Sequence, residues 1–319
     1  MNETGTARRT APGAVLRRAL AVCVAALLAT AAALAGGSPA TAAAAAAGKR
    51  VVVYYQTQYS NGTYVSPKAL TDHGTGVTDL LVGAFHINDN DVTLNDHTPD
   101  DSSFTRMWQD IAAMQATGVH ALGFVGGAAQ GSFQRLESDF GTYYPRLKNV
   151  VTTYHLDGLD LDVEENMSLG AIEHLIDQLH ADFGSDFIVT LAPVATALSG
   201  GGNLSGFDYD QLYRDRGDSI NWFNTQFYCG WGSLSSTGGY DAIVSRGTIP
   251  SNKVVAGTLT NPANCGSGYV DINTLKSTLS TLSAKYDFGG VAGWEYFNSL
   301  PGGTAAPWQW ASEVSGAMG

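Results

Sequence analysis

Hydrophobic and polar positions fall into short apolar runs separated by segments of helical period. The runs predict strands at 50–55 (RVVVYY), 79–86 (DLLVGAFH), 120–126 (HALGFVG), 158–164 (GLDLDVE), 187–192 (FIVTLA), 223–228 (FNTQFY), 254–259 (VVAGTL) and 289–296 (GGVAGWEY). Between them, Phe104, Met107, Trp108, Ile111 and Met114 share one helical face, as do Ile172, Leu175, Ile176, Leu179 and Phe183. Such stripes are what helices covering a sheet require. Eight βα units in about 270 residues predict an α/β fold of the (β/α)8 TIM-barrel type, with its site at the carboxyl ends of the strands. The Gly-rich, weakly periodic stretch from Pro193 to Asn221 predicts a reduced helix after the fifth strand. A doubly wound sheet would want a Gly-rich phosphate turn after its first strand, and Tyr54-Tyr-Gln-Thr-Gln-Tyr59 is not one.

The start of the chain has a different character. Arg8, Arg9, Arg17 and Arg18 precede an apolar run from Ala19 to Leu34, followed by small residues. This is the pattern of a secretory signal, cleaved within the alanine tract that ends near Ala47. The expected organisation is a signal peptide and alanine-rich spacer over 1–48 and one catalytic barrel over 49–319. The mature protein is expected to be extracellular, monomeric and free of the membrane. Composition then narrows the partners: outside the signal, 13 basic residues face 28 acidic ones. That balance argues against nucleic acid and anionic membranes and is neutral toward sugars. Cys229 and Cys265 remain after the signal is removed, and an oxidising compartment allows either one disulfide or two free thiols. The histidines show no zinc spacing, there is no G-x-S-x-G nucleophile elbow, and neither a metal nor a cofactor is indicated.

The most informative run is Asp157-Gly-Leu-Asp-Leu-Asp-Val-Glu164. In a strand, Asp160, Asp162 and Glu164 share one face, about 6.6 Å apart at alternate residues, while Leu159, Leu161 and Val163 share the other. Carboxyls gathered inside a barrel raise one another's pKa and keep at least one proton, which suits a general acid. Glu164, nearest the open end, is the candidate acid. A calcium loop is disfavoured because Glu165 stands where that loop needs glycine.

With these residues in view, D-G-x-D-x-D-x-E on a fourth strand resembles the signature of glycoside hydrolase family 18. The likeness extends to Gly126-Gly127, Gln226-Phe-Tyr228 and Trp294-Glu-Tyr-Phe. Gly127-Ala-Ala, Thr190-Leu-Ala-Pro-Val-Ala-Thr-Ala197, Gln226-Phe-Tyr-Cys-Gly-Trp-Gly232 and Gly293-Trp-Glu-Tyr-Phe-Asn298 look most like single-domain endo-β-N-acetylglucosaminidases of fungi and bacteria. The triplet Gln226-Phe-Tyr228 departs from the methionine-x-tyrosine-aspartate of larger bacterial chitinases, though plant-type chitinases share it. The resemblance implies substrate-assisted retaining hydrolysis between two N-acetylglucosamines, in the core of N-glycans or, alternatively, in chitin-type oligosaccharides. A barrel that binds sugar without catalysis is a third reading.

By the same resemblance, Glu164 is acid and then base, and Asp162 holds the acetamido N–H. Asp160 tunes Asp162 by sharing a proton or hydrogen bond, and Tyr228 donates to the acetamido carbonyl. Gln226 and Trp294 bind the reacting sugar, Tyr55 and Gly127 line the same pocket, and Asn166, Trp231 and Glu295 reach the leaving sugar or the glycan arms.

Overall fold

The structure, a computed structural model, describes residues 48–319; the signal and spacer expected over 1–48 lie outside the described residues apart from Gly48. Barrel strands β1 (Arg50–Tyr55), β4 (Asp79–Ile87), β6 (His120–Gly126), β7 (Gly158–Asp162), β8 (Ile188–Leu191), β9 (Trp222–Gln226), β10 (Val254–Leu259) and β11 (Gly290–Trp294) pair in parallel in that order. The ring closes because β1 pairs with both β4 and β11. A short ribbon, β2 (Tyr59–Ser60) with β3 (Thr63–Tyr64), rises from the loop after β1. Strand β5 (Val92–Leu94) folds back antiparallel on β4. The (β/α)8 barrel is therefore present, with two small additions that the apolar pattern does not announce.

Outside the ring lie α1 (Ala69–Asp72), α2 (Thr105–Gln115), α3 (Ser132–Ser138), α4 (Phe140–Thr153) and α5 (Leu169–Phe183). They are followed by α6 (Ala195–Ser199), α7 (Tyr209–Arg216), α8 (Gly238–Val244), α9 (Ile272–Lys285) and α10 (Gln309–Met318). Met107, Ile111 and Met114 of α2 and Ile172, Leu175, Ile176 and Leu179 of α5 are buried against the strands, as their spacing predicts. Ser168 starts α5 and Asp271 starts α9 by accepting from backbone N–H groups of the first turn. The reduced helix expected after the fifth barrel strand takes the form of two short pieces, α6 and α7, on either side of a glycine-rich loop. Among the described residues no helix is long and apolar enough to cross a membrane.

The barrel interior is dry at its base. Val52, Leu122, Ile188, Trp222, Val255 and Ala292 form an inner apolar cluster, separate from the one under the helices. Below them the Arg50 guanidinium stacks over the Trp222 ring at 3.7 Å and pairs with the fully buried Asp79 at 3.2 Å, which also meets His120 at 3.0 Å. The base is thus closed by packing and by a compensated charge cluster, and the open end is left for chemistry.

Four strands end earlier than their apolar runs. The fourth barrel strand stops at Asp162, because the Asp162 carbonyl turns to accept from Gly127 N at 2.9 Å and Glu164 N at 3.2 Å. Likewise β8 ends at Leu191, β9 at Gln226 and β11 at Trp294, so Glu164, Tyr228 and Glu295 stand just past strand ends. The exits of β9 and β10 are joined covalently: Cys229 and Cys265 form a disulfide with Cα atoms 5.7 Å apart, spanning 36 residues. Closing a loop of that size restricts the unfolded chain by about 4 kcal/mol. The double substitution Cys229→Ser, Cys265→Ser should therefore lower unfolding free energy by about 4 kcal/mol in guanidinium titration. An unchanged midpoint would show that the bridge does not limit stability.

Candidate active site

The site is a column of carboxyls rising through the barrel. At its foot Asp160 is fully buried, with three neutral donors. Its Oδ1 accepts from Thr190 Oγ1 at 2.5 Å and Asn224 Nδ2 at 2.9 Å, and its Oδ2 from the Tyr54 hydroxyl at 2.9 Å. Asn224 is itself oriented by Trp222 Nε1, 2.9 Å from its Oδ1. Burial pushes the Asp160 carboxyl up, and the three hydrogen bonds pull it back down.

One level higher, Asp162 has much less support. Burial raises its carboxyl well above the usual range, and the charges of Glu164 and Asp160 raise it further. Its side chain meets Gln226 Nε2 at 3.2 Å, and the same amide lies 3.2 Å from Glu164 Oε1 and 2.9 Å from Ala192 O. Burial also raises Glu164, less the effect of the Gln226 bond. Asp160 is the member with the donors, and burial and neighbouring charge favour the protonated form most strongly at Asp162. Among the described residues no hydrogen bond joins Asp160 to Asp162; the two are coupled by charge.

Above the column opens a cavity of about 420 Å³ whose walls include Glu164, Asp162, Gln226, Tyr228, Trp294 and Gly127. The Tyr228 hydroxyl is kept protonated by burial and by the carboxyls below, and it has no hydrogen-bond partner among the described residues. Trp294 meets the rings of Tyr54 and Phe124 edge-on, at centroid distances of 5.4 and 5.9 Å, which fixes its plane. Gly126 has φ +94°, and a Cβ there would lie 2.5 Å from Asp162 O. That close approach of β6 to β7 requires glycine.

Several expectations need correction. Tyr55 does not line the pocket: it points outward, fully buried, donating to Val65 O at 2.6 Å and packing against Tyr296. The inward residue is Tyr54, because side chains alternate along β1. Asn166 is exposed away from the cavity, and Glu295 is buried, accepting from Thr57 N at 2.9 Å and Thr57 Oγ1 at 2.9 Å. Trp231 does line the cavity, as do Gln56, His86 and Asn264, which the sequence does not single out. Glu165 is also missed. Its carboxylate accepts from Gly131 N at 2.6 Å and Phe133 N at 2.8 Å, locking the chain beside Glu164 to the start of α3.

No family model matches the chain. Solved structures do. A fungal endo-beta-N-acetylglucosaminidase from glycosyl hydrolase family 18 is 46% identical with a TM-score of 0.80, over 84% of this chain and 97% of that one. The chitinase ChiC from Aspergillus fumigatus is 48% identical with a TM-score of 0.78, over 85% of this chain and all of that one. Chitinase 2 of Rhizopus oligosporus is 29% identical over 148 residues, and the matched part is 44% of this chain and a quarter of that protein. Carboxyls stacked inside a closed (β/α)8 barrel, together with near-complete coverage of two solved members at this identity, decide the matter: the chain belongs to glycoside hydrolase family 18.

Proposed function

We propose that the protein is an exported, monomeric endo-β-N-acetylglucosaminidase that cuts the β-1,4 bond within the N,N′-diacetylchitobiose core of N-glycans, by substrate assistance. The observation that carries the chemistry is the pairing of Asp162 and Glu164, bridged by Gln226 and both raised by burial, with the Tyr228 hydroxyl above them, which has no hydrogen-bond partner among the described residues. Glu164 gives its proton to the glycosidic oxygen as the bond from that oxygen to the anomeric carbon breaks. The acetamido carbonyl oxygen of the same sugar attacks that carbon from the opposite face, so the positive charge passes to an oxazolinium ring. Tyr228 donates to the carbonyl oxygen and Asp162 accepts from the acetamido N–H. Water then opens the ring, giving its proton back to Glu164, with net retention. Trp294 supplies an apolar face for the pyranose ring, and Gly127 keeps the wall beside Asp162 open.

The choice of N-glycan rests on the fungal relative and on the amide, hydroxyl and imidazole groups that Gln56, Thr57, His86 and His97 contribute to the walls beyond the carboxyls. The 48% identity to ChiC favours a second reading, an endochitinase acting on the same bond in a polymer. Export rests on the arginine-flanked apolar run at the start of the chain.

A high-mannose glycoprotein and chitin oligosaccharides offered side by side test the choice. Release of the glycan is expected; cleavage of chitin alone would give the site to the polymer. Glu164→Gln should lose about 10³-fold in rate, as for removal of a general acid. Tyr228→Phe should lose on the order of 10², as for an oxyanion donor, and a wild-type rate in either variant would remove its assigned role.

The buried carboxyls also set a pH dependence. A carboxyl whose folded pKa is raised favours folding in its protonated form, so its contribution is complete at low pH and is lost as pH rises through the raised value. Asp162→Asn should therefore be more stable than wild type at pH 7, with the gap closing below pH about 4, while activity falls. Thermal melts at the two pH values check this; a variant less stable at pH 7 would mean that Asp162 is held ionised. In the same way, wild-type rate should fall as pH rises through the elevated Glu164 pKa.

A further inference from the structure

Two consecutive carboxyls follow β7 and go different ways. Glu164 faces the cavity, whereas Glu165 turns into the wall and is 3% exposed. A carboxyl taken out of water needs partners. Glu165 finds them in the segment after β6: its Oε2 accepts from Gly131 N at 2.6 Å and its Oε1 from Phe133 N at 2.8 Å. Each oxygen serves one N–H. The amide of a glutamine has a single oxygen and would set its NH2 against the other donor, so the site calls for a carboxyl.

What this pair of bonds holds is the stretch that carries Glu164. Strand β7 ends at Asp162, so Glu164 stands two residues past the sheet. The stretch is tied from two sides. On one, the buried Ser205 donates from Oγ to Val163 O at 2.6 Å, and its carbonyl accepts from Met167 N at 3.0 Å. On the other, Gly127 N reaches Asp162 O at 2.9 Å and Gln130 Nε2 reaches Glu164 O at 3.2 Å, and Glu165 completes the seam. The Glu164 side chain itself accepts only from Gln226 Nε2, an amide shared with Asp162 and Ala192, so its aim depends on the backbone beneath it. We infer that Glu165 is a positioning residue for the general acid, pinning the exit of β7 to the segment after β6 so that Glu164 is held within reach of the glycosidic oxygen. A misplacement of about 1 Å can cost on the order of 10²-fold in rate. The inference rests on the proposed role of Glu164. A carboxyl that only steadied α3 would change stability without singling out proton donation.

Leaving groups separate the two. A sugar hydroxyl leaves poorly without a proton, whereas 4-nitrophenolate leaves with little help from an acid. The comparison is kcat/KM on the oligosaccharide that wild type cuts and on the 4-nitrophenyl β-glycoside of the same glycone. Glu165→Gln should lose on the order of 10²-fold on the oligosaccharide and about threefold at most on the aryl glycoside, the pattern expected of Glu164→Gln as control. Gln130→Ala removes the neighbouring tie with Glu165 in place and should show the same bias at smaller size. Equal loss on both substrates, or no loss on the oligosaccharide, would overturn the assignment. Amide hydrogen exchange reads the seam without turnover: Glu165→Gln should exchange faster over 127–133 and 163–167 and as wild type elsewhere in the barrel. Unchanged exchange there, or faster exchange throughout, would count against Glu165 as the pin. Failure of wild type to cut any glycoside would defeat the glycosidase reading, while exchange still decides whether Glu165 holds the exit of β7.

Discussion

The barrel is organised around one buried carboxyl. Asp160 has no contact with water, and a carboxylate taken out of water without partners is unstable by many kcal/mol. Its oxygens are satisfied by three neutral donors from three other strands, Tyr54 on β1, Thr190 on β8 and Asn224 on β9. Hydrogen bonds to a charged acceptor are roughly twice as strong as neutral ones, and these three draw the strands to a fixed register around β7. Removing a donor would therefore disturb more than one bond. The rest of the column depends on that supply of donors: Asp160 takes three, while Asp162 is poorly supplied and is raised furthest above the usual carboxyl range.

The dry base makes this arrangement sustainable. Trp222 lies beneath Asn224 and bonds to it, and Arg50 stacks on its ring from below while paired with Asp79. Water is excluded from below, so the field of Asp160 on Asp162 is little screened. The barrel is thus divided along its axis into an apolar foot, a layer of satisfied polar groups and an open mouth. The order of side chains on β9, Trp222, Asn224 and Gln226, repeats that division in one strand.

How much of this the sequence reveals depends on whether a strand alternates. Strand β7 does, with acids on one side and aliphatics on the other, so the inward faces of Asp160 and Asp162 and the outward faces of Leu159 and Leu161 are legible from residues alone. Strand β1 does not: Val51 to Tyr55 are all buried, because a barrel strand is covered on both faces, and nothing distinguishes Tyr54 from Tyr55 until the ring closes. The helices over the long amphipathic stretches are equally legible, whereas α6 and α7 lie in a segment with too little period. Glu165 is hidden for another reason. Its partners are backbone N–H groups 32 and 34 residues away, and no residue type marks a backbone donor. The end of β7 is set by the same kind of bond, from Gly127 N to Asp162 O, which is why the patterned run there overshoots it.

Two solved relatives of nearly equal identity carry different names, an endo-beta-N-acetylglucosaminidase and a chitinase. The carboxyl column cannot be what separates such activities in this fold, since Glu164, Asp162 and Tyr228 are proposed to address the glycosidic oxygen and the acetamido group, which both kinds of substrate present. Discrimination by more than a modest factor needs polar groups that the wrong sugar would leave unpaired. In this chain one such group beyond the column is His86 on β4, whose buried Nδ1 has no protein partner among the described residues and which lines the cavity. On the proposed mechanism the inner strands address what the two kinds of substrate share, so discrimination between them would fall to groups outside the column, at the mouth of the barrel.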